Sequence, residues 1–165
     1  RFIYVLTFAQ QILDTPLGWM VVKGDEKSIH QAFWVSEDEL TIGHGTAPAA
    51  WKKEVQRQVN EYFRKERNQF NLPLSPQGTE FQKMVWAQFR SIPFGTTKSY
   101  SDVLGGDHAQ AVGGATGANP ILLLIPCHRL IGSDGDLTGY SGGLDRKEKL
   151  LELEGAHLAQ QLSLF

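Results

Sequence analysis

The amino-acid sequence predicts a mixed α/β (α+β) fold, with a sheet-and-helix half followed by a mainly helical half. Short apolar runs typical of strands occupy residues 1–39, and segments with helical spacing of apolar residues follow from residue 47. The turn-forming cluster Ser75-Pro76-Gln77-Gly78 separates the two halves. We therefore expect an amino-terminal domain over residues 1–75, a carboxy-terminal domain over residues 76–157 and a tail over residues 158–165.

The first half contains three predicted strands, a helix and an edge strand. Apolar runs predict strands over Phe2–Leu6, Gly18–Val22 and Gln31–Val35, with a turn before the second. Apolar residues at helical spacing predict a helix over Ala47–Lys65. Alternation over Phe70–Leu74 predicts an edge strand, because Pro73 cannot donate a backbone hydrogen bond within a sheet.

The second half is predicted to be helical. Thr79 can cap a helix over Glu80–Ile92. Two short helices, over Tyr100–Leu104 and His108–Ala118, flank a glycine-containing turn and suggest a helix-turn-helix. A buried segment over residues 121–125 and a last helix over residues 144–153 complete the half.

The composition excludes several classes of protein. A net charge of −2 gives no broad electrostatic surface for nucleic acid, so any such binding must be local. No run approaches the roughly 18 apolar residues of a membrane span, and the first residues lack the pattern of a signal peptide. A single cysteine excludes an internal disulfide and an all-cysteine metal site, and it suits the reducing cytoplasm.

That cysteine, Cys127, is followed directly by His128. A thiol needs ionisation to act as a nucleophile, and a nearby imidazole can accept its proton, directly or through water. Glu154, near the end of the last helix, is a candidate to orient the imidazole. The local sequence fits equally well a small buried cysteine beside a surface histidine.

Two glycine-rich segments also have two interpretations each. The helix over residues 108–118 consists almost entirely of small residues, which suits either entry into a narrow DNA groove or close packing against another helix. The segment over residues 133–143 surrounds Tyr140 and Ser141 with glycines, which suits either a ligand-binding loop or an ordinary surface loop.

Taken together, the second half resembles the O6-alkylguanine-DNA alkyltransferases, also called methylated-DNA–protein-cysteine methyltransferases. The resemblance covers about Gly78 to Gly155. It is carried by Gly78-Thr79-Glu80-Phe81-Gln82, Val85-Trp86, Ile92-Pro93-Phe94-Gly95, Ser99-Tyr100, Ala111-Val112-Gly113-Gly114-Ala115, Asn119-Pro120, Ile125-Pro126-Cys127-His128-Arg129, Gly139-Tyr140-Ser141-Gly142-Gly143 and Leu150-Leu151-x-x-Glu154-Gly155.

The resemblance implies a suicide reaction on flipped O6-alkylguanine, and also on O4-alkylthymine, without a cofactor. It implies that Cys127 accepts the alkyl group, with His128 as its base through water and Glu154 polarising the histidine. Tyr100 would donate a proton to the guanine, and Asn119 would brace the turn. Tyr140, Ser141 and Arg129 would bind the substrate. DNA in its minor groove would contact Ala109, Gln110, Gly113, Gly114 and Ser133.

This chain departs from the family at its predicted DNA-reading element. The family usually has an arginine where Gln110 stands, and the segment from Tyr100 to Gln110 is shorter than usual. We therefore expect transfer from a free O6-alkylguanine to persist while DNA binding is weakened. A binding module that recognises alkylated bases without repairing them is the alternative, but such relatives lack the cysteine that this chain has.

Further expectations concern the two ends of the chain. The amino-terminal half is expected to be ribonuclease H-like. Some relatives hold zinc there through cysteines, which this half lacks, so we expect no metal. Gln161-Leu162-Ser163-Leu164-Phe165 resembles the peptide that binds the bacterial sliding clamp, with Gln161, Leu162, Leu164 and Phe165 as anchors, although such a tail could also fold back on its own domain. We expect a cytoplasmic monomer.

Overall fold

The structure is a computed structural model that describes residues 8–41 and 45–156. The chain divides into two units, Arg1–Pro76 and Gln77–Phe165. No helix within the described residues combines the length and the apolar character that crossing a membrane requires.

The first unit contains an antiparallel sheet of strands β1 (Ala9–Thr15), β2 (Gly18–Gly24) and β3 (Ile29–Val35), in that order. A 3₁₀ turn (Glu37–Thr41) and helix α1 (Trp51–Phe63) follow. The β1–β2 turn is held by Thr15, whose Oγ1 accepts from Leu17 N at 3.1 Å and donates to Gly18 O at 2.6 Å. The buried core includes Leu13, Met20, Val22, Ala32, Val55, Val59 and Tyr62.

The sequence-based boundaries need correction in this unit. The predicted strand over Phe2–Leu6 lies outside the described residues, and β1 was not predicted. Helix α1 begins at Trp51 rather than at Ala47. The predicted edge strand over Phe70–Leu74 is a single parallel bridge between Ile29 and Leu74, in which Ile29 N donates to Pro73 O at 2.8 Å. Since Pro73 has no N–H of its own, the bridge does not extend into a ladder.

The second unit is mainly helical. Its elements are α2 (Glu80–Arg90), β4 (Lys98–Ser99), α3 (Tyr100–Leu104), a 3₁₀ turn (Gly106–His108), α4 (Ala109–Gly117), a second 3₁₀ turn (Cys127–Arg129), β5 (Leu130–Ile131) and α5 (Leu144–Glu154). As expected, Thr79 caps α2: its side chain accepts from Gln82 N, and the Gln82 side chain accepts from Thr79 N.

Two contacts arrange this unit around the segment that carries the cysteine. Trp86 on α2 donates its indole N–H to Ala115 O on α4 at 2.8 Å, which joins the two helices. Strands β4 and β5, which were not predicted, pair in parallel, with Lys98 beside Leu130. This pairing brings the start of α3, and with it Tyr100, next to the chain that leaves Cys127.

Candidate active site

The buried segment over residues 121–125 leads into Cys127, and the chain makes two tight three-residue turns here. Leu124 N donates to Leu122 O at 2.8 Å around Leu123, which has a positive φ of 71°. Cys127 N donates to Ile125 O at 2.8 Å around Pro126, which has φ −82° and ψ 60°. Both turns are buried, so the cysteine is fixed inside the unit and its side chain is only 1% exposed.

Asn119 connects this turn to the thiol. Its Nδ2 donates to Ile125 O at 3.0 Å and to Cys127 Sγ at 3.1 Å, while its Oδ1 accepts from Ile121 N at 3.0 Å. The amide therefore braces both ends of the segment, and its donor stabilises negative charge on the sulfur when the thiol loses its proton.

His128 is fully buried and lies against Glu154. Its Nε2 is 2.7 Å from Glu154 Oε2. Burial lowers the pKa of His128 more than the neighbouring carboxylate raises it, so the imidazole is neutral near pH 7. A neutral ring that donates from Nε2 carries a lone pair on Nδ1, and within the described residues Nδ1 has no hydrogen-bond partner. His128 Nδ1 can therefore accept a proton.

Arg129 holds the other side of the carboxylate. Its Nε donates to Glu154 Oε1 at 2.8 Å, its Nη2 to Oε2 at 3.2 Å and its Nη1 to Ile92 O at 2.6 Å. Burial raises the pKa of Glu154, but the donors of His128 and Arg129 outweigh burial, and the net pKa is well below the usual range. Arg129, expected to contact substrate, thus has its donors directed at Glu154 and Ile92.

The thiol itself is protonated at neutral pH. Burial raises the pKa of Cys127 to about 11, although the Asn119 donor and the cation of Lys147 both act to lower it. Activation therefore requires removal of the thiol proton by a base.

Lys147 is the functional candidate that the sequence reasoning missed. It is completely buried, and its Nζ donates to Thr138 O at 2.8 Å. Burial lowers its pKa to about 8, while the charge of Cys127 raises it. One signal was available: Lys147, Leu150, Leu151 and Glu154 share the buried face of α5 at helical spacing, where a lysine is unexpected.

Tyr100, the expected proton donor, and Tyr140, expected to bind the substrate, make different contacts. Tyr100 Oη is 2.6 Å from Thr138 Oγ1. The Tyr140 ring packs edge-on against His128, with centroids 6.4 Å apart, and burial raises the pKa of its hydroxyl. Ser141 is exposed, and its Oγ is 3.4 Å from Gly117 O.

The expected DNA-binding residues cluster mainly on α4. Gln110 and Gly114 are exposed, while Ala109 and Gly113 are half-buried. A methyl group added at Gly113 or Gly114 would meet no heavy atom within 4 Å outside its own helix turn, so close packing within the described chain does not account for these glycines. Ser133 is exposed on the loop that follows β5.

Two other expectations concern parts of the chain away from this cluster. The clamp-binding residues Gln161, Leu162, Leu164 and Phe165 lie outside the described residues. Over residues 8–41 and 45–156, no group of three or more His, Cys, Asp or Glu side chains is arranged to hold a metal ion.

Comparison with known proteins identifies the family. Residues 9–76 match the 6-O-methylguanine DNA methyltransferase, ribonuclease-like domain, and residues 80–156 match the 6-O-methylguanine DNA methyltransferase, DNA binding domain. The chain belongs to the 6-O-methylguanine DNA methyltransferase family. A methylated-DNA–protein-cysteine methyltransferase of Methanosarcina barkeri is 43% identical over 89% of this chain and 97% of its own length. One from Mycobacterium tuberculosis is 39% identical, over 93% and 96%.

Solved structures of this methyltransferase family agree with the fold. The crystal structure of Mycobacterium tuberculosis O6-methylguanine methyltransferase matches with a TM-score of 0.78 and 36% identity, covering 96% of this chain and 99% of its own. That of Mycobacterium tuberculosis OGT in complex with DNA matches with a TM-score of 0.80 and 35% identity, covering 90% and 94%. The predicted mixed α/β fold and the resemblance stated from the sequence are therefore confirmed.

Proposed function

We propose that this protein repairs O6-alkylguanine in DNA by moving the alkyl group onto Cys127 Sγ in one irreversible step. The observation that carries this proposal is the bond between His128 Nε2 and Glu154, which leaves Nδ1 of the residue next to Cys127 as a proton acceptor. Family membership and the DNA-bound relative support the same reaction.

The proposed chemistry follows from the cluster. The Cys127 thiol gives its proton to His128 Nδ1 through a water molecule, and Glu154 stabilises the imidazolium that forms. Asn119 Nδ2 and the Lys147 cation stabilise the thiolate. The sulfur then displaces the O6 atom from the alkyl carbon, while Tyr100 donates a proton to the departing guanine. The thioether is stable, so each molecule acts once.

Intact mass spectrometry after incubation with O6-methylguanine DNA tests this reaction. We expect the mass to increase by one methyl group in place of a hydrogen, and Cys127→Ser to abolish the increase. A module that only recognises the lesion would bind this DNA without any gain in mass. A second duplex carrying O4-methylthymine tests whether that base is also a substrate, as we propose.

We also propose that α4 approaches DNA through the minor groove while the damaged base is flipped out of the duplex to lie beside Tyr140. The open space beside Gly113 and Gly114 supports this mode, because a helix without bulky side chains can bring its backbone close to a narrow groove. Arg129, with its donors on Glu154, would act on the substrate only by holding that carboxylate. Methylation interference tests this docking mode. We expect methyl groups placed on bases in the minor groove to block binding of the DNA, and methyl groups in the major groove to have little effect.

Three finer proposals concern the setting of the reaction. We infer that the protein acts as a cytoplasmic monomer, where its single thiol stays reduced. We also infer that Gln161–Phe165 binds a bacterial sliding clamp through its leucine and phenylalanine side chains. Deletion of residues 161–165 should abolish clamp pull-down and leave alkyl transfer from a free base unchanged. Retained pull-down would contradict the clamp proposal.

A further inference from the structure

Thr138 makes two separate hydrogen bonds to the residues around the thiol. Its side-chain Oγ1 is 2.6 Å from Tyr100 Oη, and its backbone oxygen accepts from Lys147 Nζ at 2.8 Å. Thr138 lies in the connection between β5 and α5, where residues 133–136 are exposed while Thr138 itself is half-buried. One residue of this connection therefore contacts both α3 and α5.

We propose that Thr138 is a positioning residue that aims the hydroxyl of Tyr100 and supports it while the leaving guanine is protonated. This inference rests on the proposed function. A phenol has a single hydrogen, so Tyr100 can direct that hydrogen at a substrate only if Thr138 is the donor in their shared bond. The side chain of Thr138 thus selects the productive orientation of the tyrosine hydroxyl.

The same bond becomes stronger as the reaction proceeds. When the phenol proton passes to a ring nitrogen of guanine, Tyr100 Oη gains negative charge, and the Thr138 hydroxyl still points at it. Hydrogen bonds to a charged oxygen are roughly twice as strong as those between neutral groups. An interaction that strengthens in the transition state accelerates the reaction rather than binding alone.

The step balances in atoms and electrons. The thiol proton goes to His128, the sulfur–carbon bond forms, and the carbon–O6 bond breaks with its electron pair staying on the purine. The proton of Tyr100 neutralises that purine. The phenolate afterwards takes a proton from water, and the His128 imidazolium returns one proton to water, so that no net charge is left. Thr138 keeps its own hydrogen throughout.

Two alkylating reagents can distinguish a role of Thr138 in supporting Tyr100 from a role in maintaining the structure around the thiol. O6-Benzylguanine requires protonation of its leaving group, whereas iodoacetamide loses iodide, which does not. We expect both to alkylate Cys127, the single cysteine of the chain, so their rates can be compared in the same variants. Thr138→Val removes the hydroxyl and keeps the branched shape, Thr138→Ser keeps the hydroxyl, and neither alters the backbone bond to Lys147.

We expect Thr138→Val to slow the reaction with O6-benzylguanine by roughly 10- to 100-fold and to leave the iodoacetamide rate unchanged. Thr138→Ser should stay close to wild type. In a Tyr100→Phe background, Thr138→Val should have less than about a 2-fold further effect, because the two residues act as one unit. Thermal melting verifies folding, and Thr138→Ala replaces the valine variant if the latter does not fold.

The inference would be overturned by equal slowing with both reagents, which would assign Thr138 to the structure around the thiol. An unchanged O6-benzylguanine rate in Thr138→Val would overturn it as well. A wild-type protein that reacts with iodoacetamide but with neither O6-benzylguanine nor O6-methylguanine DNA would instead defeat the proposed function.

Discussion

Glu154 Oε2 lies 2.7 Å from His128 Nε2, and both side chains are completely shielded from solvent. Because Arg129 donates to the same carboxylate, Glu154 is ionised and fixes the imidazole as the Nε2–H tautomer. The imidazole next to Cys127 is therefore held by a carboxylate 27 residues further along the chain from that cysteine, on a different element.

Glu154→Gln tests the effect of this carboxylate. The substitution leaves the buried guanidinium of Arg129 without a counter-charge, and we expect it to reduce the free energy of unfolding by about 3–5 kcal/mol. It also weakens His128 as the proposed base, so alkylation by O6-benzylguanine should slow by more than about 10-fold. Urea denaturation and labelling rates measure the two effects. Glu152→Gln, exposed on the same helix, is the matched control and should change neither.

The free energy of unfolding at acid pH should also depend on the Glu154 carboxylate. The pKa of Glu154 is depressed in the folded protein, so its stabilising contribution is present above the ordinary carboxyl pKa of about 4.3 and is lost as the pH falls below it. We expect the free energy of unfolding to fall between about pH 5 and pH 2. Glu154→Gln should flatten this slope. An identical slope in the variant would show that other carboxylates govern acid unfolding.

Lys147→Met tests the buried cation. Loss of its charge should raise the pKa of the Cys127 thiol further above about 11 and slow iodoacetamide labelling at pH 7. Because the pKa of Lys147 is about 8, wild type loses the same cation at higher pH. The ratio of wild-type to variant rates should therefore be largest below pH 8 and approach one above about pH 9. Lys149→Met, exposed on the same helix, should leave the ratio at one throughout.

Asn119→Ala tests the brace of the turn. The substitution leaves Ile121 N without its side-chain acceptor in a buried site, at a cost of about 1–3 kcal/mol, while Ile125 O keeps the bond from Cys127 N. It also removes the donor to Cys127 Sγ, so the thiol pKa should rise. Calorimetry and the pH dependence of iodoacetamide labelling measure these changes. A variant as stable and as reactive as wild type would show that the turn does not depend on the amide.

Gln110→Arg tests the departure from the family in α4, the helix that we propose to contact DNA. Gln110 is exposed on α4, so an arginine there can reach a duplex without disturbing the core. We expect faster transfer from O6-methylguanine DNA and an unchanged rate with free O6-benzylguanine. Gln88→Arg adds the same charge to an exposed position of α2 and should not reproduce the gain. If Gln110→Arg leaves DNA repair unaltered, the idea that Gln110 weakens DNA binding is wrong.

The sequence was informative where local patterns decide structure. The capping residue Thr79 and the apolar spacing of α2 predicted that helix closely. By contrast, β1 was missed because Gln10, Gln11 and Asp14 interrupt its apolar character. A strand of this kind is specified by its pairing with β2, which is a tertiary interaction.

In the candidate site, too, local sequence predicted some features, whereas others depend on tertiary contacts. Adjacency in sequence identified Cys127 and His128, but it could not show which nitrogen of the imidazole bonds to Glu154. The contact of Arg129 with Glu154 and the burial of Lys147 could not be predicted from the sequence, because long cationic side chains usually reach solvent. Their positions depend on the packing of α5 against the cysteine-bearing turn.

The open face of α4 has a consequence for efforts to make this protein more heat-resistant. Replacing a glycine inside a helix with alanine raises the free energy of unfolding by about 0.5–1 kcal/mol. At Gly113 and Gly114 no heavy atom lies within 4 Å of the added methyl group outside the helix's own backbone and chain neighbours. Screening for melting temperature alone would therefore favour alanine at both positions. In the proposed docking mode the same methyl groups would hold the α4 backbone away from a duplex. The variants with the highest melting temperatures should therefore be the slowest to repair DNA.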